Sequence, residues 1–303
     1  MLLSNRWSRI QRAYYNFSCR EVLRSRPLKT FESNLRIVSM VSHADLILYL
    51  VAIKSFYRQI GHGQIVIVDD GSLTDSDRSL FAEHLNSPQF FEISQVQTGS
   101  CPRGGCWERL LTVLDVSNEY YVIQLDADTL TRANISEVLR CIEQNQSFTL
   151  GTDSGTEFVT AAESARHALS IERAAHVQVE AEKNLARIPD SARRQYVRGS
   201  AGFTGFGRRA VSRSDVEQFS NQMREYLGQR WAEWGTEQVT SNYLIANAPN
   251  SIVLPFPKYR CYRSGVDPHQ SAFLHFVGIN RYDQGIYRRE SQLAIREGAR
   301  TEN

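Results

Sequence analysis

Short apolar runs alternate with longer amphipathic segments from residue 35 onward. Apolar runs of this length are typical of strands buried on both faces, whereas apolar residues that recur every three or four positions are typical of helices. The strands predicted in the first half are 35–42, 64–72, 91–96 and 120–128, and the helices between them begin near Leu46, Asp75 and Trp107. This alternation predicts an α/β fold with a mostly parallel central sheet flanked by helices.

The second half of the chain continues this pattern after a helical insertion. Residues 157–188 are rich in Ala and Glu and contain no Gly or Pro, which predicts one long helix or two shorter ones. Residues 196–209 hold four glycines among aromatic residues, a composition suited to close approach of the backbone to a neighbouring group. A helix is predicted at 236–248, with strands at 251–255 and 273–278. No shift in composition after residue 35 marks a second domain, so we expect a single domain over 35–303.

The first thirty residues differ from the rest, with seven basic side chains and one acidic side chain. Trp7, Ile10, Tyr14 and Phe17 recur at helical spacing. Residues 1–34 are therefore predicted to form a basic helical extension. Such a helix is suited to peripheral contact with an anionic membrane surface, or it packs on the main domain with its arginines in water.

Overall composition excludes several classes of protein. Hydrophobic residues make up 42% and charged residues 22%, which argues against a disordered chain, and the net charge of +2 lacks the surplus of a dedicated nucleic-acid binder. The longest apolar run, 46–53, is far shorter than the ~20 residues that span a bilayer. The N-terminus lacks the pattern of a signal peptide, and the five cysteines form no CxxC pair. We expect a reduced, cytoplasmic protein of enzyme size.

Two carboxylates stand one residue apart just after the strand predicted at 120–128. Asp126 and Asp128 project to the same side if the segment is extended, and like charges so placed repel each other. A hard divalent cation such as Mg²⁺ or Mn²⁺ would relieve this repulsion and leave positions open for phosphate oxygens. The alternative is a solvated loop in which Asp128 caps a helix that begins near Asn134.

Two further segments carry candidate chemistry. Asp69 and Asp70 end another strand, before Gly71, and can accept hydrogen bonds from a base or a ribose; helix entry would use the same residue types. His275 lies in an apolar run, where a histidine is most often part of the core. Arg281, shortly after it, can meet phosphate oxygens in bidentate fashion.

Taken together, IVIVDDGS and LDADTL resemble the nucleotide-binding half of glycosyltransferases with the GT-A fold. In that family the second Asp of the DDGS-like turn binds the nucleoside, and the DxD triplet binds the metal that holds the sugar-nucleotide diphosphate. The resemblance assigns these roles to Asp70, Asp126 and Asp128, and places Ser42 at the end of the first strand near the nucleoside.

The C-terminal segments resemble the glycogenin and lipopolysaccharide galactosyltransferase group of retaining GT-A enzymes. HFVGINRYD matches that group's HFxGxxKPW motif in part, which makes His275 the third metal ligand and puts Arg281 in place of the family Lys. WGTEQ offers Glu237 and Gln238 for an Asp-Gln pair near the acceptor, but also resembles the WGGED segment of inverting enzymes, with Gln238 at the position of the base. An amide cannot serve as a base near neutral pH, which favours retention.

The resemblance covers residues 35–285. It implies a nucleotide-binding half over 35–130, an acceptor half over 131–285 and a C-terminal helix over 286–303. The implied activity is transfer of a hexose or related sugar from a nucleotide-sugar, with UDP favoured, to a glycan or lipid-linked acceptor, in surface polysaccharide synthesis. The implied metal is Mn²⁺ or Mg²⁺, with Arg281, Arg109 or Arg103 stabilising the leaving diphosphate. Arg198, beside the Gly-rich segment, holds a sugar or an acidic acceptor or is an ordinary surface charge.

Two other functions remain open from the sequence, and a third is disfavoured. A phosphohydrolase of the DxDxT type would use Asp126 as nucleophile, although Leu130 stands where that pattern has Thr or Val. A nucleotidyltransferase is disfavoured, because no Gly-rich phosphate loop follows the first strand. The non-enzymatic alternative is a degenerate GT-A scaffold that binds a partner or a glycan.

Overall fold

The structure, a computed structural model, describes residues 2–171 and 176–301, without the side chains of 2–8, Ile279 and Thr301. The side chain of Trp7, residues 172–175 of the predicted insertion and residues 302–303 of the predicted C-terminal helix lie outside the described part. The strands are β1 Leu35–Val41, β2 Gln64–Asp69, β3 Gln89–Glu92, β4 Tyr121–Leu125, β5 Thr129–Thr131, β6 Phe148–Leu150, β7 Val159–Thr160, β8 Gln195–Tyr196, β9 Ser200–Phe206, β10 Ile252–Val253, β11 Tyr259–Cys261 and β12 Phe273–His275.

Ten helices accompany these strands among the described residues. They are α1 Leu2–Cys19, α2 Leu46–Ile60, α3 Asp75–Leu85, α4 Trp107–Ser117, α5 Ser136–Glu143, α6 Ala161–Leu169, α7 Val177–Asn184, α8 Arg213–Leu227, α9 Thr236–Ala246 and α10 Ile286–Thr301. Strands and helices alternate through the first half, as the hydrophobic pattern predicts.

A seven-stranded mixed sheet forms the centre, with strand order β10-β6-β9-β4-β1-β2-β3. Neighbouring strands are parallel except where β9 pairs with β4 and β6. Most residues of β1, β2 and β4 are buried, and two apolar cores cover the faces of the sheet. The predicted α/β fold with a mostly parallel sheet flanked by helices is therefore confirmed.

A second, three-stranded sheet joins distant parts of the chain in the order β11-β12-β5. Its antiparallel pair sets His275 of β12 opposite Thr129 of β5. Because β5 starts one residue after Asp128, this pairing brings the C-terminal motif beside the DxD turn.

Several predicted strands extend beyond the observed ones, and one lies at a different position. The strand predicted at 91–96 lies at Gln89–Glu92 and gives way to a 3-10 turn, and the strand predicted at 273–278 ends at His275. The helical insertion consists of two short helices, α6 and α7, which is one of the two predicted arrangements. Since Thr160 caps α6 through a capping box and His176 caps α7, each helix has its own start signal.

Helix α1 packs against the main body through one face. Tyr15, Cys19 and Val22 are buried in the same core as α2 and α10. The Tyr15 hydroxyl lies 2.7 Å from Ser291 Oγ of α10. Among the described residues, no helix combines the length and the apolar character needed to cross a bilayer.

Candidate functional site

The turn after β4 is fixed by backbone hydrogen bonds to two remote segments. Asp126 N donates to Gly202 O at 2.9 Å, and Phe276 N donates to Asp128 O at 2.9 Å. The Thr129 hydroxyl closes the turn by donating to Asp126 O at 2.8 Å. The DxD segment is thus held between the central sheet and the small sheet, with little freedom at its backbone.

Asp126, Asp128 and His275 converge, with one ligand atom of each lying within 4.8 Å of the other two. His275 Nε2 lies 3.1 Å from Asp128 Oδ1 and 3.8 Å from Asp126 Oδ2. His275 therefore lies beside the DxD carboxylates, as the sequence predicts. The register of β12 against β5 brings it there. Asp128 does not cap the following helix, because α5 begins at Ser136, beyond Ile135.

Close contacts behind the ring orient His275. A Cβ added to Gly202 would overlap the imidazole ring, so the ring rests directly on the glycine backbone. His275 Nδ1 lies 2.9 Å from Ser200 Oγ and 3.8 Å from Cys261 Sγ, which leaves Nε2 toward the carboxylates. The sequence pointed to close backbone approach in this Gly-rich strand but not to its partner, because that partner lies more than seventy residues away.

Two arginines hold the other oxygens of the carboxylates. Arg109 of α4 pairs with Asp126 Oδ1, and Arg281 pairs with Asp128 Oδ2. Burial by itself raises the pKa of the Asp128 carboxyl, but the charges of His275 and Arg281 outweigh it and hold the pKa well below its usual value. Burial likewise lowers the pKa of His275, and the Asp128 carboxylate more than compensates, so the pKa lies well above its usual value. The group is therefore a tightly coupled charge network.

Helix α9 supplies two further predicted site residues. It starts after Gly235, whose φ of +105° is left-handed and suits glycine. Glu237 is buried and its Oε1 accepts from Arg109 Nη2 at 3.2 Å. Burial is the main cause that raises the pKa of Glu237 to about 7, with Arg109 opposing it. Gln238 Oε1 accepts from Ala201 N at 3.3 Å, and no described residue accepts from its amide nitrogen.

A cavity of about 300 Å³ collects these side chains at the carboxyl end of β4. In open α/β sheets this edge is where ligands bind. Its wall contains seven residues predicted from the sequence, namely Arg109, Asp126, Asp128, Glu237, Gln238, His275 and Arg281. Sequence reasoning missed Met40, Asp45, Cys106, Gln178 and Trp234, which also line it. Of these, Trp234 is 63% exposed and is the first residue of the WGTEQ segment, so its position next to Glu237 and Gln238 was the available signal.

Ser42 and Asp70 are not among the described residues that form the wall of this cavity. Ser42 Oγ donates to Asp45 Oδ2 at 2.6 Å, and Asp45 does line the cavity. Asp70 is exposed, and its Oδ1 accepts from Ser72 N at 3.0 Å. The two strands that carry them are paired, with Val41 opposite Asp69.

Two other arginines singled out in the sequence face elsewhere. Arg103 donates to Val96 O at 3.3 Å, and Arg198 forms an ion pair with the buried Glu182. Neither belongs to the cavity wall among the described residues.

Comparisons with known proteins agree on the fold. Neither a family profile nor a curated protein matches the chain in sequence. The structure of the bifunctional glycosyltransferase WbbM superposes with a TM-score of 0.53 at 15% identity, over 89% of this chain and 51% of that one. This chain thus spans about half of the length of WbbM.

Two further solved structures cover similar shares of the chain. The galactosyltransferase LgtC, solved with donor and acceptor sugar analogues, matches with a TM-score of 0.51 at 11% identity over 86% of this chain and 95% of that one. GlyE, a glycosyltransferase of Streptococcus pneumoniae TIGR4, matches with a TM-score of 0.51 at 10% identity over 88% of this chain and 63% of that one. The chain has the GT-A fold of these glycosyltransferases, with an Asp-Asp-His cluster at the carboxyl end of its central strand.

Proposed function

We propose that the protein is a metal-dependent glycosyltransferase. It transfers a hexose or related sugar from a nucleotide-sugar, with UDP as the favoured nucleotide, to a glycan or lipid-linked acceptor in surface polysaccharide synthesis in the cytoplasm. The observation that carries the proposal is the convergence of Asp126, Asp128 and His275 in a cavity at the carboxyl end of a parallel strand. The GT-A fold supports it.

The donor atoms of the cluster fit a divalent cation such as Mn²⁺ or Mg²⁺. Each carboxylate uses one oxygen for an arginine and turns the other toward His275 Nε2, so two oxygens and one nitrogen share one space. Carboxylate oxygens suit Mg²⁺ and Mn²⁺, and imidazole suits transition metals. When bound, such an ion supplies positive charge beside the diphosphate of the donor.

The two arginines have a defined task in this proposal. Breaking the bond between sugar and diphosphate builds negative charge on the leaving group, and fixed positive groups stabilise that charge without reorganising. Arg109 is buried and held on both sides by Asp126 and Glu237, which keeps its guanidinium in place. Arg281 is held by Asp128 and by Phe276 O, to which its Nε donates at 3.1 Å.

Glu237 and Gln238 are proposed to face the transferred sugar. Arg109 fixes the Glu237 carboxylate, and the amide of Gln238 is fixed through its oxygen, which leaves its nitrogen to donate to a sugar oxygen. We favour retention of the anomeric configuration, because an amide in the position of the base cannot accept a proton near neutral pH. Ser42 and Asp70 are proposed to bind the nucleoside from the adjacent strand ends.

Thermal unfolding with nucleotides tests the proposal. UDP is expected to raise the unfolding temperature only when Mn²⁺ or Mg²⁺ is present. At a hundredfold excess of UDP over its Kd, the free energy of unfolding should rise by about 2.7 kcal/mol. His275→Ala should abolish this shift, whereas His62→Ala, outside the cavity wall, should retain it. Hydrolysis of a panel of UDP-sugars, followed as UDP release, then identifies the donor.

Two results would contradict the proposal. Release of phosphate from simple phosphomonoesters without a nucleotide would identify a phosphohydrolase. Absence of stabilisation by every nucleotide tested would identify a binding scaffold. If donor turnover is found, unchanged transfer by Glu237→Gln would remove the role given to that side chain.

A further inference from the structure

Helix α1 exposes a row of large apolar side chains on the face opposite its packed side. Ile10 is 52% exposed, Tyr14 58% and Phe17 64%. Their spacing of four and three residues puts them on one side of the helix. Tyr15 and Cys19, on the other side, are fully buried against the body of the protein. The helix is thus anchored by one face and presents a second apolar face outward.

Arginines surround this exposed row. Arg9, Arg20 and Arg24 are exposed on α1 and the 3-10 turn that follows it. The guanidinium of Arg20 lies 4.5 Å from the centre of the Phe17 ring, and that of Arg288 from α10 lies 5.1 Å from the centre of the Tyr14 ring. On α10, which packs against α1, the exposed basic residues are Arg289, Arg296 and Arg300. The exposed acids on these elements are Glu21 and Glu297.

We propose that this face, formed by α1 with the neighbouring arginines of α10, docks on an anionic lipid surface. An apolar stripe with arginines on its flanks is the pattern of helices that lie in the membrane interface, where the apolar row enters the boundary of the acyl chains and the cations meet lipid phosphates. A second copy of the chain is disfavoured as the occupant, because it would bring two basic faces together. Charge complementarity therefore selects the lipid surface.

Helix α1 also contacts the wall of the site, through the side that packs on the body of the protein. Arg12 of α1 lies 3.6 Å from Asp45, and Asp45 lines the cavity that holds the Asp-Asp-His cluster. Arg12 also interacts with Tyr282, the residue after Arg281. A membrane bound at the outer face of α1 is therefore separated from the cavity wall by this one helix, which suits a lipid-linked acceptor; this last step rests on the proposed function, whereas lipid docking does not.

Co-sedimentation of the full chain with vesicles tests the docking. The protein should bind vesicles of phosphatidylcholine with 30% phosphatidylglycerol, release them as NaCl is raised, and bind pure phosphatidylcholine weakly. The variant Arg9→Gln, Arg20→Gln, Arg24→Gln should lose about a hundredfold in partitioning, from about fivefold for each basic residue. The variant Ile10→Ser, Tyr14→Ser, Phe17→Ser should bind anionic vesicles no better than neutral ones.

Matched variants elsewhere serve as controls. Leu169→Ser removes an exposed apolar side chain of α6, and Arg140→Gln, Arg193→Gln, Arg208→Gln removes three exposed arginines outside α1 and α10; both should bind like the unaltered protein. Unfolding temperatures establish that all variants fold. Equal loss in control and docking variants, or equal binding of the unaltered protein to both vesicle types, would overturn the proposal. So would dimerisation that is lost in the docking variants while no lipid binds.

The two proposals fail independently. The docking variants change no residue of the cavity wall, so their Mn²⁺-dependent shift with UDP should persist. A protein that binds vesicles but no nucleotide would refute the proposed function alone, and one that binds nucleotide but no anionic vesicle would refute the docking alone.

Discussion

Two pairs of acidic residues follow buried parallel strands in this protein, and the structure uses them differently. At the end of β2, Asp69 is buried and its Oδ1 accepts from Gly71 N at 2.8 Å and from Leu73 N at 3.3 Å. Its other oxygen pairs with Arg78 of the next helix. Asp70 accepts from Ser72. Every one of these partners comes from the next nine residues of the chain.

After β4, the partners of the acidic pair come from remote segments. Asp126 pairs with Arg109, and Asp128 with His275 and Arg281, which lie about 150 residues away in the sequence. Asp69 is saturated by its own turn, whereas the second pair keeps one oxygen of each carboxylate toward a histidine nitrogen. The second pair therefore keeps carboxylate oxygens available for the proposed cation, whereas the local turn occupies those of Asp69.

The largest effect that this comparison predicts is on turnover. Asp128→Asn should lower metal-dependent release of UDP from the donor sugar by about 10²–10³-fold, since one preorganised charge of the site is lost. The matched change Asp70→Asn alters an exposed turn and should raise the KM for the donor by about fivefold, the effect of one hydrogen bond, with kcat retained. Similar losses of kcat in both variants would erase the distinction between the pairs.

The second prediction concerns the pH dependence of stability, which the buried carboxylate Glu237 should govern. Because the folded pKa of Glu237 is raised to about 7, the folded state binds more protons than the unfolded state above pH ~4.5, so the free energy of unfolding falls as pH rises to about 7. The full loss is about 3 kcal/mol at 1.36 kcal/mol for each pKa unit. Glu237→Gln should remove this decline and be more stable than the unaltered protein at pH 8.

Denaturant unfolding in EDTA at pH 5 and pH 8 measures this effect. Both proteins should have closely similar stability at pH 5, and their curves should separate at pH 8. A variant that is less stable than the unaltered protein at both pH values would show that Glu237 is held charged by Arg109 rather than neutralised.

The third prediction concerns the contact that orients His275. Gly202→Ala adds a methyl group where the imidazole ring now lies, so the ring must turn away from the carboxylates. Metal affinity should fall about 10–100-fold, the usual range for loss of a group that orients a ligand. Isothermal titration with Mn²⁺ measures it. Gly205→Ala, in the same strand, would place its methyl group against Phe148 of β6 and controls for general disturbance of β9. An unchanged Kd for Gly202→Ala would mean that His275 is not a ligand.

The smallest effect is expected at the first acidic pair. Asp69→Asn keeps an oxygen for the backbone donors but removes the negative charge that pairs with Arg78. Arg78 retains Glu92 as a partner. We expect a loss of about 1 kcal/mol in unfolding free energy and no change in metal affinity. Denaturant titration and Mn²⁺ binding check both, and a weakened metal site would show that the two pairs are coupled.

The hydrophobic pattern was a good guide to the elements of the central sheet. β1, β2 and β4 are rich in Val, Ile and Leu and are buried along almost their whole length, so their positions follow from the chain itself. The edge strand β3 begins two residues before the predicted strand. Phe90 and Phe91 are only half-buried, so the local hydrophobic pattern is weak.

The site residues that belong to a sequence motif could be predicted. Those whose role depends on which strands become neighbours could not. DxD and the later histidine could be joined from the sequence through resemblance to a family. The roles of Gly202, Ser200 and Cys261 behind the imidazole could not, because each depends on which strands become neighbours. The same limit applies to Trp234 and Asp45 in the cavity wall.

By itself, the sequence determined the alternation of strands and helices, the acidic tips of two strands and the basic character of the first thirty residues, since these follow from local periodicity and charge. Only the tertiary structure decided which acidic tip has its oxygens available, which face of α1 is exposed, and that His275 faces Asp128. Those outcomes depend on contacts between residues far apart in the chain, such as the pairing of β12 with β5. Such contacts form only when the sheets assemble, so local sequence patterns do not reveal them.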